Sequence, residues 1–172
     1  GLARATLDTV DILDAAGYRH VLIETVGVGQ DEVEIAGASH TTVVVSPPGL
    51  GDDIQAIKAG ILEIADVHVV SKSDRADALR TLTDLQSMLA LGASMGPTPA
   101  WVVPVVATSA VGGEGVDELV AAILRHRAFL EGGPAGPERR LRIAAFRMLR
   151  TAEELLRARF RADRAGQVAA LA

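Results

Sequence analysis

The chain has 172 residues, 49% of them apolar and 23% charged, with no cysteine and a net charge of −5. That length builds one ordinary domain with a real core, the composition is not that of a disordered chain, and the missing cysteines exclude disulfides and thiolate metal centres. The apolar runs are too short to cross a bilayer, and 18 acidic against 8 basic residues over positions 1–137 argue against general nucleic-acid binding, so a cytoplasmic protein with neither nucleic-acid nor membrane partners is expected.

Residues 3–16 place Leu7, Val10 and Leu13 at helical spacing and stop at Gly17, which predicts a helix with a glycine cap. Residues 20–24, HVLIE, predict a strand that ends on a carboxylate, Glu24, before the glycine-bearing TVGVGQ. Residues 41–46 predict a second strand, broken by SPPGLGDD. A helix follows over 53–65, where Ile54, Ile57, Ile61 and Ile64 form one apolar stripe. The pattern then predicts a strand over 67–71, a helix over 77–91, a strand over 102–107 and a helix over 116–130. Continuous apolar strands alternating with amphipathic helices point to an α/β fold with a parallel sheet covered on both faces.

EGGPAGP (131–137) reads as a linker, and 138–162 as one long helix. Its stripe of Leu141, Ala145, Met148, Ala152 and Leu155, widened by Phe146, Leu149, Leu156 and Phe160, needs another surface to cover it. The segment 138–172 carries 9 basic and 4 acidic residues, the reverse of the body. The expected organisation is a main domain over 1–131, a linker over 132–137 and a C-terminal helical dimerisation or docking segment over 138–172. The chain opens at Gly1 without methionine and runs straight into helical sequence, so it is expected to be the later part of a longer polypeptide.

Ligands of such sheets bind beyond the carboxyl ends of the strands, and three of those ends carry unusual loops: ETVGVGQ, SKSD and TSAVGGEG. Asp74 in SKSD can accept two hydrogen bonds from the N1–H and exocyclic amine of guanine, a donor pair that adenine lacks. The aliphatic stem of Lys72 can cover the flat base. The amide of Ala110 in TSA can meet the guanine carbonyl oxygen. Each loop alone has a plainer reading, as a helix cap or an ordinary turn. E-x-x-G (Glu24 to Gly27), S-K-x-D and T-S-A at successive strand ends have the order of the later G-protein motifs. In that reading Glu24 holds Mg²⁺ through a water and the amide of Gly27 faces the γ-phosphate.

ETVGVGQDE, PPGLGDDIQAIKAGILEIAD and SKSD together resemble the MeaB/ArgK-type GTPases that chaperone adenosylcobalamin-dependent methylmalonyl-CoA mutase. The resemblance covers nearly the whole chain, through ERRLR. It implies a P-loop-type GTPase domain, lacking its N-terminal part, followed by a long C-terminal helix. It also implies GTP and GDP binding with Mg²⁺, hydrolysis stimulated by the mutase, gated loading and protection of the cobalamin cofactor, and a homodimer formed through C-terminal helices. A kinase of periplasmic amino-acid transport is the weaker reading. Residue by residue, the resemblance makes Glu24 the magnesium-side carboxylate and Gly27 the γ-phosphate sensor. Ser71, Lys72 and Asp74 would hold the base, with Ser109, Ala110 and Val111 closing over it. Gln30 belongs to the switch region, and Asp52, Gln55 and Lys58 fall in a third switch that relays nucleotide state to the mutase.

Two departures qualify that match. Ser71 stands where the base motif usually has asparagine, a change expected to weaken guanine binding by about 1 kcal/mol. No G-x-x-x-x-G-K-[ST] occurs, and the two lysines are Lys58 and Lys72. Without that loop's backbone amides the phosphates have no cradle, so residues 1–172 by themselves are expected neither to bind GTP tightly nor to hydrolyse it. The alternative is a partner-binding or dimerisation module derived from a G domain that needs no nucleotide. The four histidines, His20, His40, His68 and His126, are not at metal-ligand spacing, which counts against nickel-enzyme metallochaperones. His68 and Trp101 are expected to be packing residues.

Overall fold

A computed structural model describes residues 4–25, 32–49, 63–94, 96 and 98–170. Helix α1, Arg4–Ala15, opens the chain. It ends as predicted: Gly17 takes φ +86°, and the amides of Gly17 and Tyr18 cap the carbonyls of Asp14 and Leu13 at 2.9 and 3.1 Å. Helix α2 is Glu32–Ala38. The strands are β1, Val43–Ser46, β2, Val67–Val70, and β3, Val105–Ala107. Between and after them run α3, Ala78–Ser94, α4, Val116–Gly132, and α5, Ala135–Ala170.

The sheet is parallel in the order β1-β2-β3, with Val43 opposite Val67 and His68 opposite Val105. Central β2 is buried at every position, as a strand paired on both edges and covered on both faces must be. Successive side chains point to opposite faces. Val67 and Val69 therefore meet Val106 and Ala122 of α4 on one face, while Val70 meets Ala78 and Leu85 of α3 on the other. Each such valine contributes roughly 1.5–3 kcal/mol by burial. The predicted parallel sheet with helices on both faces is the observed architecture.

Several boundaries differ from the reading of the sequence, the strands expected over 41–46 and 102–107 being shorter, at 43–46 and 105–107. Residues 21–25 are irregular rather than a strand; Leu22 is 92% exposed and Glu24 is exposed. Apolar, β-branched composition makes a strand only where a neighbouring edge supplies hydrogen bonds, and Val21–Glu24 instead line a cleft of about 350 Å³ with Thr6, Thr9, Val10 and Leu13 of α1. The expected linker shrinks to Gly133 and Pro134, because α5 already begins at Ala135. Pro137 fits there since the first helical turn has no use for its missing N–H, and Gly136 brings α5 against the Leu130 carbonyl, where a Cβ would lie at 2.1 Å. Of the helix expected over 53–65, only residues 63–65 fall among the described residues; Glu63 and Ile64 are helical and Ala65 is not.

A buried polar cluster sits at the amino ends of the strands. The Asp66 carboxylate accepts from the Thr42 amide at 2.8 Å and from the Arg139 guanidinium of α5. His126 Nε2 lies 3.3 Å from it, and His126 Nδ1 lies 2.9 Å from the Thr41 hydroxyl. Trp101 donates its indole N–H to the Asp66 carbonyl at 2.8 Å and packs edge-on against His126. Trp101 is thus a packing residue as expected, and His68 is fully buried in β2.

Asp66→Ala leaves the buried Arg139 charge uncompensated and is expected to cost about 3 kcal/mol, read as a lower denaturant midpoint with unchanged slope. Burial holds the His126 imidazole below its ordinary value of 6.5, against the opposing pull of Asp66 and with a smaller push from Arg139. The unfolded chain therefore binds a proton more readily than the folded one. Stability from this group is full above about pH 6.5 and falls as the pH drops below it; His126→Gln is expected to flatten that part of the stability profile in a denaturation series.

Candidate functional site

The carboxyl ends of β2 and β3 carry two loops that the parallel register places side by side. Ser71 continues β2, donating its amide to the Ser46 carbonyl of β1 at 2.9 Å and its hydroxyl to the same oxygen at 3.3 Å. Lys72 then takes φ 53°, the only left-handed non-glycine residue among those described. A non-glycine side chain held in this region is worth a functional explanation. Here it reverses the chain so that the Ser73 amide reaches the Thr108 carbonyl of the neighbouring loop at 3.0 Å. The second loop is fastened in turn. The Thr108 amide donates to Val70 at 2.8 Å, the Ser109 amide to Glu114 at 3.0 Å and the Gly113 amide to Ser109 at 2.8 Å. Gly115, at φ +72°, closes the turn so near β3 that a Cβ would meet the Ala107 carbonyl oxygen at 1.9 Å.

The side chains join where the loops meet. Ser109 is fully buried, and its hydroxyl donates to Asp74 Oδ1 at 2.7 Å. That hydrogen bond is the main cause holding the Asp74 carboxyl below its ordinary 3.8, helped by the residue's own amide and by Arg75 and Lys72. The carboxylate is thus ionised, exposed and oriented, with Oδ1 fixed by Ser109. Such a group can receive paired N–H donors of a planar ligand. Ala110 and Val111 stand exposed at the tip, Val111 at 93%.

Of the residues singled out from sequence, Ser71, Lys72, Asp74, Ser109, Ala110 and Val111 are brought into one locality. The Ser71 hydroxyl faces the Ser46 carbonyl within the sheet, as a tie between strands. Glu24 lines the cleft beside α1, on the irregular segment 21–25. Gly27, Gln30, Asp52, Gln55 and Lys58 lie outside the described residues. Mg²⁺ needs several oxygen ligands. Among the described residues no group of three His, Cys, Asp or Glu side chains converges, so Glu24 and its described neighbours do not by themselves make a magnesium site.

The sequence did not reveal the cluster around Asp66, nor a cavity of about 420 Å³ lined by Glu34, Gly37, Asp66, Arg139, Arg142 and Phe146. This cavity lies at the amino ends of the strands, away from the base-type loops. Nothing in the local spacing marks Arg139 as buried among its many arginine neighbours.

A parallel sheet covered on both faces, with an aspartate loop and a serine-alanine loop locked together at its carboxyl edge, is an α/β domain of the P-loop GTPase type. The family model described as methylmalonyl-CoA mutase-associated GTPase MeaB matches residues 1–165, and the chain belongs to that family. A putative GTPase of Pyrococcus horikoshii is 46% identical over 144 residues, covering 83% of this chain and 45% of its own length. The GTPase ArgK of Escherichia coli K12 is 33% identical over 132 residues, 76% of this chain and 40% of its own length. The crystal structure of a LAO/AO transport system kinase superposes with a TM-score of 0.69 at 26% identity, over 88% of this chain and 48% of that one. The chain therefore spans less than half the length of the curated relatives it matches.

Ser109→Ala removes the hydrogen bond that most favours the Asp74 carboxylate. The Asp74 titration midpoint, followed by NMR, is expected below 3.8 in the wild type and closer to 3.8 in the variant.

Proposed function

We propose that the protein carrying this chain is a GTP-binding and GTP-hydrolysing chaperone, with this region supplying the guanine pocket. The observation that carries the reading is the 2.7 Å hydrogen bond from Ser109 to Asp74, which orients a free carboxylate edge between two loops. Asp74 accepts the N1–H and exocyclic amine of guanine, the stem of Lys72 covers one face of the base, and the Ala110 amide receives its carbonyl oxygen. Adenine would leave the carboxylate without its donor pair, at a cost of about 1–3 kcal/mol. Ser71 contributes by fixing the loop to β1. Glu24 is one carboxylate toward Mg²⁺, and Gly27 is the group that senses the γ-phosphate.

The partner is an adenosylcobalamin-dependent methylmalonyl-CoA mutase, whose cofactor loading the protein gates and protects. The family description names that mutase, and a mouse relative, 37% identical over 69% of this chain, is named a methylmalonic aciduria type A homolog. Asp52, Gln55 and Lys58, with Gln30, are the switch residues of this reading, and the cytoplasm is its compartment. One observation favours a nucleotide-independent docking or homodimer role for α5 beside it: Leu141, Met148, Leu155 and Phe160 are 62–75% exposed, an apolar stripe of the kind that a partner helix covers.

Fluorescent GDP and ADP are titrated, with Mg²⁺, into residues 1–172 and into the polypeptide extended upstream through its start codon. Selective GDP binding by the extended form, reduced about tenfold by Asp74→Ala, is the expected result. No guanine-selective binding by either form would leave the docking role alone standing.

A further inference from the structure

The loop that presents Asp74 is fastened at both ends to β1 or to the loop that leaves it. At its start the Ser71 hydroxyl donates to the Ser46 carbonyl at 3.3 Å. Beyond its far end, in the first turn of α3, the buried Thr81 hydroxyl accepts the amide of Gly49, in the loop leaving β1, at 3.2 Å. Asp77, immediately before α3, stands so close to Gly49 that a Cβ there would lie 2.9 Å from its Oδ2. Between these ties the Arg75 amide donates to the Lys72 carbonyl at 3.0 Å, closing a turn around Asp74. Arg75 then lays its guanidinium on Asp77 as a two-pronged fork, Nε to Oδ1 at 3.0 Å and Nη2 to Oδ2 at 2.9 Å.

We propose that Arg75 and Asp77 are positioning residues for guanine recognition, their fork holding the turn at the angle that presents the free Asp74 oxygen to the base. The inference rests on the GTP reading above. Ser109 fixes only Oδ1, and a carboxylate held by one oxygen still swings unless its backbone is fixed. That backbone includes Lys72 at φ 53°, a conformation that persists only where surrounding contacts over-determine it. The fork supplies one such constraint from the α3 side, and its planar two-point geometry fixes an angle as well as a distance. With side chains 55% and 38% exposed, the pair adds little to stability. Its loss is therefore read in base discrimination, because the N1–H and exocyclic amine of guanine need an acceptor of the right direction as well as distance.

The test uses the polypeptide extended upstream through its start codon, with Mg²⁺. It compares GDP, ADP and inosine diphosphate, which keeps the N1–H and lacks the exocyclic amine. The variants are Arg75→Gln, Arg75→Lys, which keeps the charge beside Asp74 and loses the fork, Asp77→Ser, which keeps a residue suited to a helix start, and Arg75→Gln combined with Asp77→Ser. Each single variant is expected to lower the GDP to inosine diphosphate affinity ratio about fivefold, with little change in melting temperature. The combined variant is expected to lower it no further, since both changes remove the same interaction. A merely structural role would weaken all three nucleotides alike and leave the ratio unmoved. An unmoved ratio, a wild-type ratio in Arg75→Lys, or additive losses in the combined variant would overturn the positioning role alone. Absence of guanine-selective binding by the extended wild type would overturn the GTP reading and the positioning role with it.

Discussion

The Asp66 carboxylate stands where three parts of the structure must agree. It precedes β2 by one residue, accepts the Thr42 amide just before β1, and receives the Arg139 guanidinium from the first turns of α5. An ionised pair with little water around it is tolerable only when each partner is satisfied, so the register of β1 on β2 and the seating of α5 are set together. His126 and Trp101 complete the enclosure from α4 and from the segment before β3. From that fixed start the helical repeat carries Phe146, Arg147 and Arg150 onto α1 and α2.

The two ends of the sheet therefore do different work. At the amino ends charge is buried, paired and used to hold elements in place. At the carboxyl ends the backbone is spent on tight turns, at Lys72 and Gly115, that leave a carboxylate exposed but oriented. The difference follows from parallel strands, whose carboxyl-end loops can vary while the strands beneath them stay rigid. The Ser71 hydroxyl illustrates it: instead of offering an amide to the base, it returns to the Ser46 carbonyl and ties the loop to the rigid strands.

The α5 helix complicates a simple separation of domain and tail. Charge reversal and Gly–Pro punctuation suggested a detached segment after residue 137, yet the break is two residues long and α5 is pinned at Arg139, Arg147 and Arg150. Arginine suits this duty because its long stem packs while its planar head takes fixed hydrogen bonds. Leu141, Met148, Leu149, Leu155, Leu156 and Phe160 remain exposed. The helix thus has one face committed to the body and apolar positions left over.

Sequence alone determined the alternation of apolar strands and amphipathic helices, the parallel sheet, the Gly17 cap and the loop residues Lys72, Asp74 and Ser109, because periodicity and turn chemistry are local. It misjudged residues 20–24, whose strand-like composition lacks a hydrogen-bonded edge among the described residues, and it overextended the linker, because a proline in a first helical turn looks like a breaker. Only the tertiary structure decided which of 15 arginines are anchors, that Asp66 and Arg139 meet across 73 positions, and that Ser109 orients Asp74 across 35. Those choices depend on which distant groups share a water-poor space, and no local pattern carries that information.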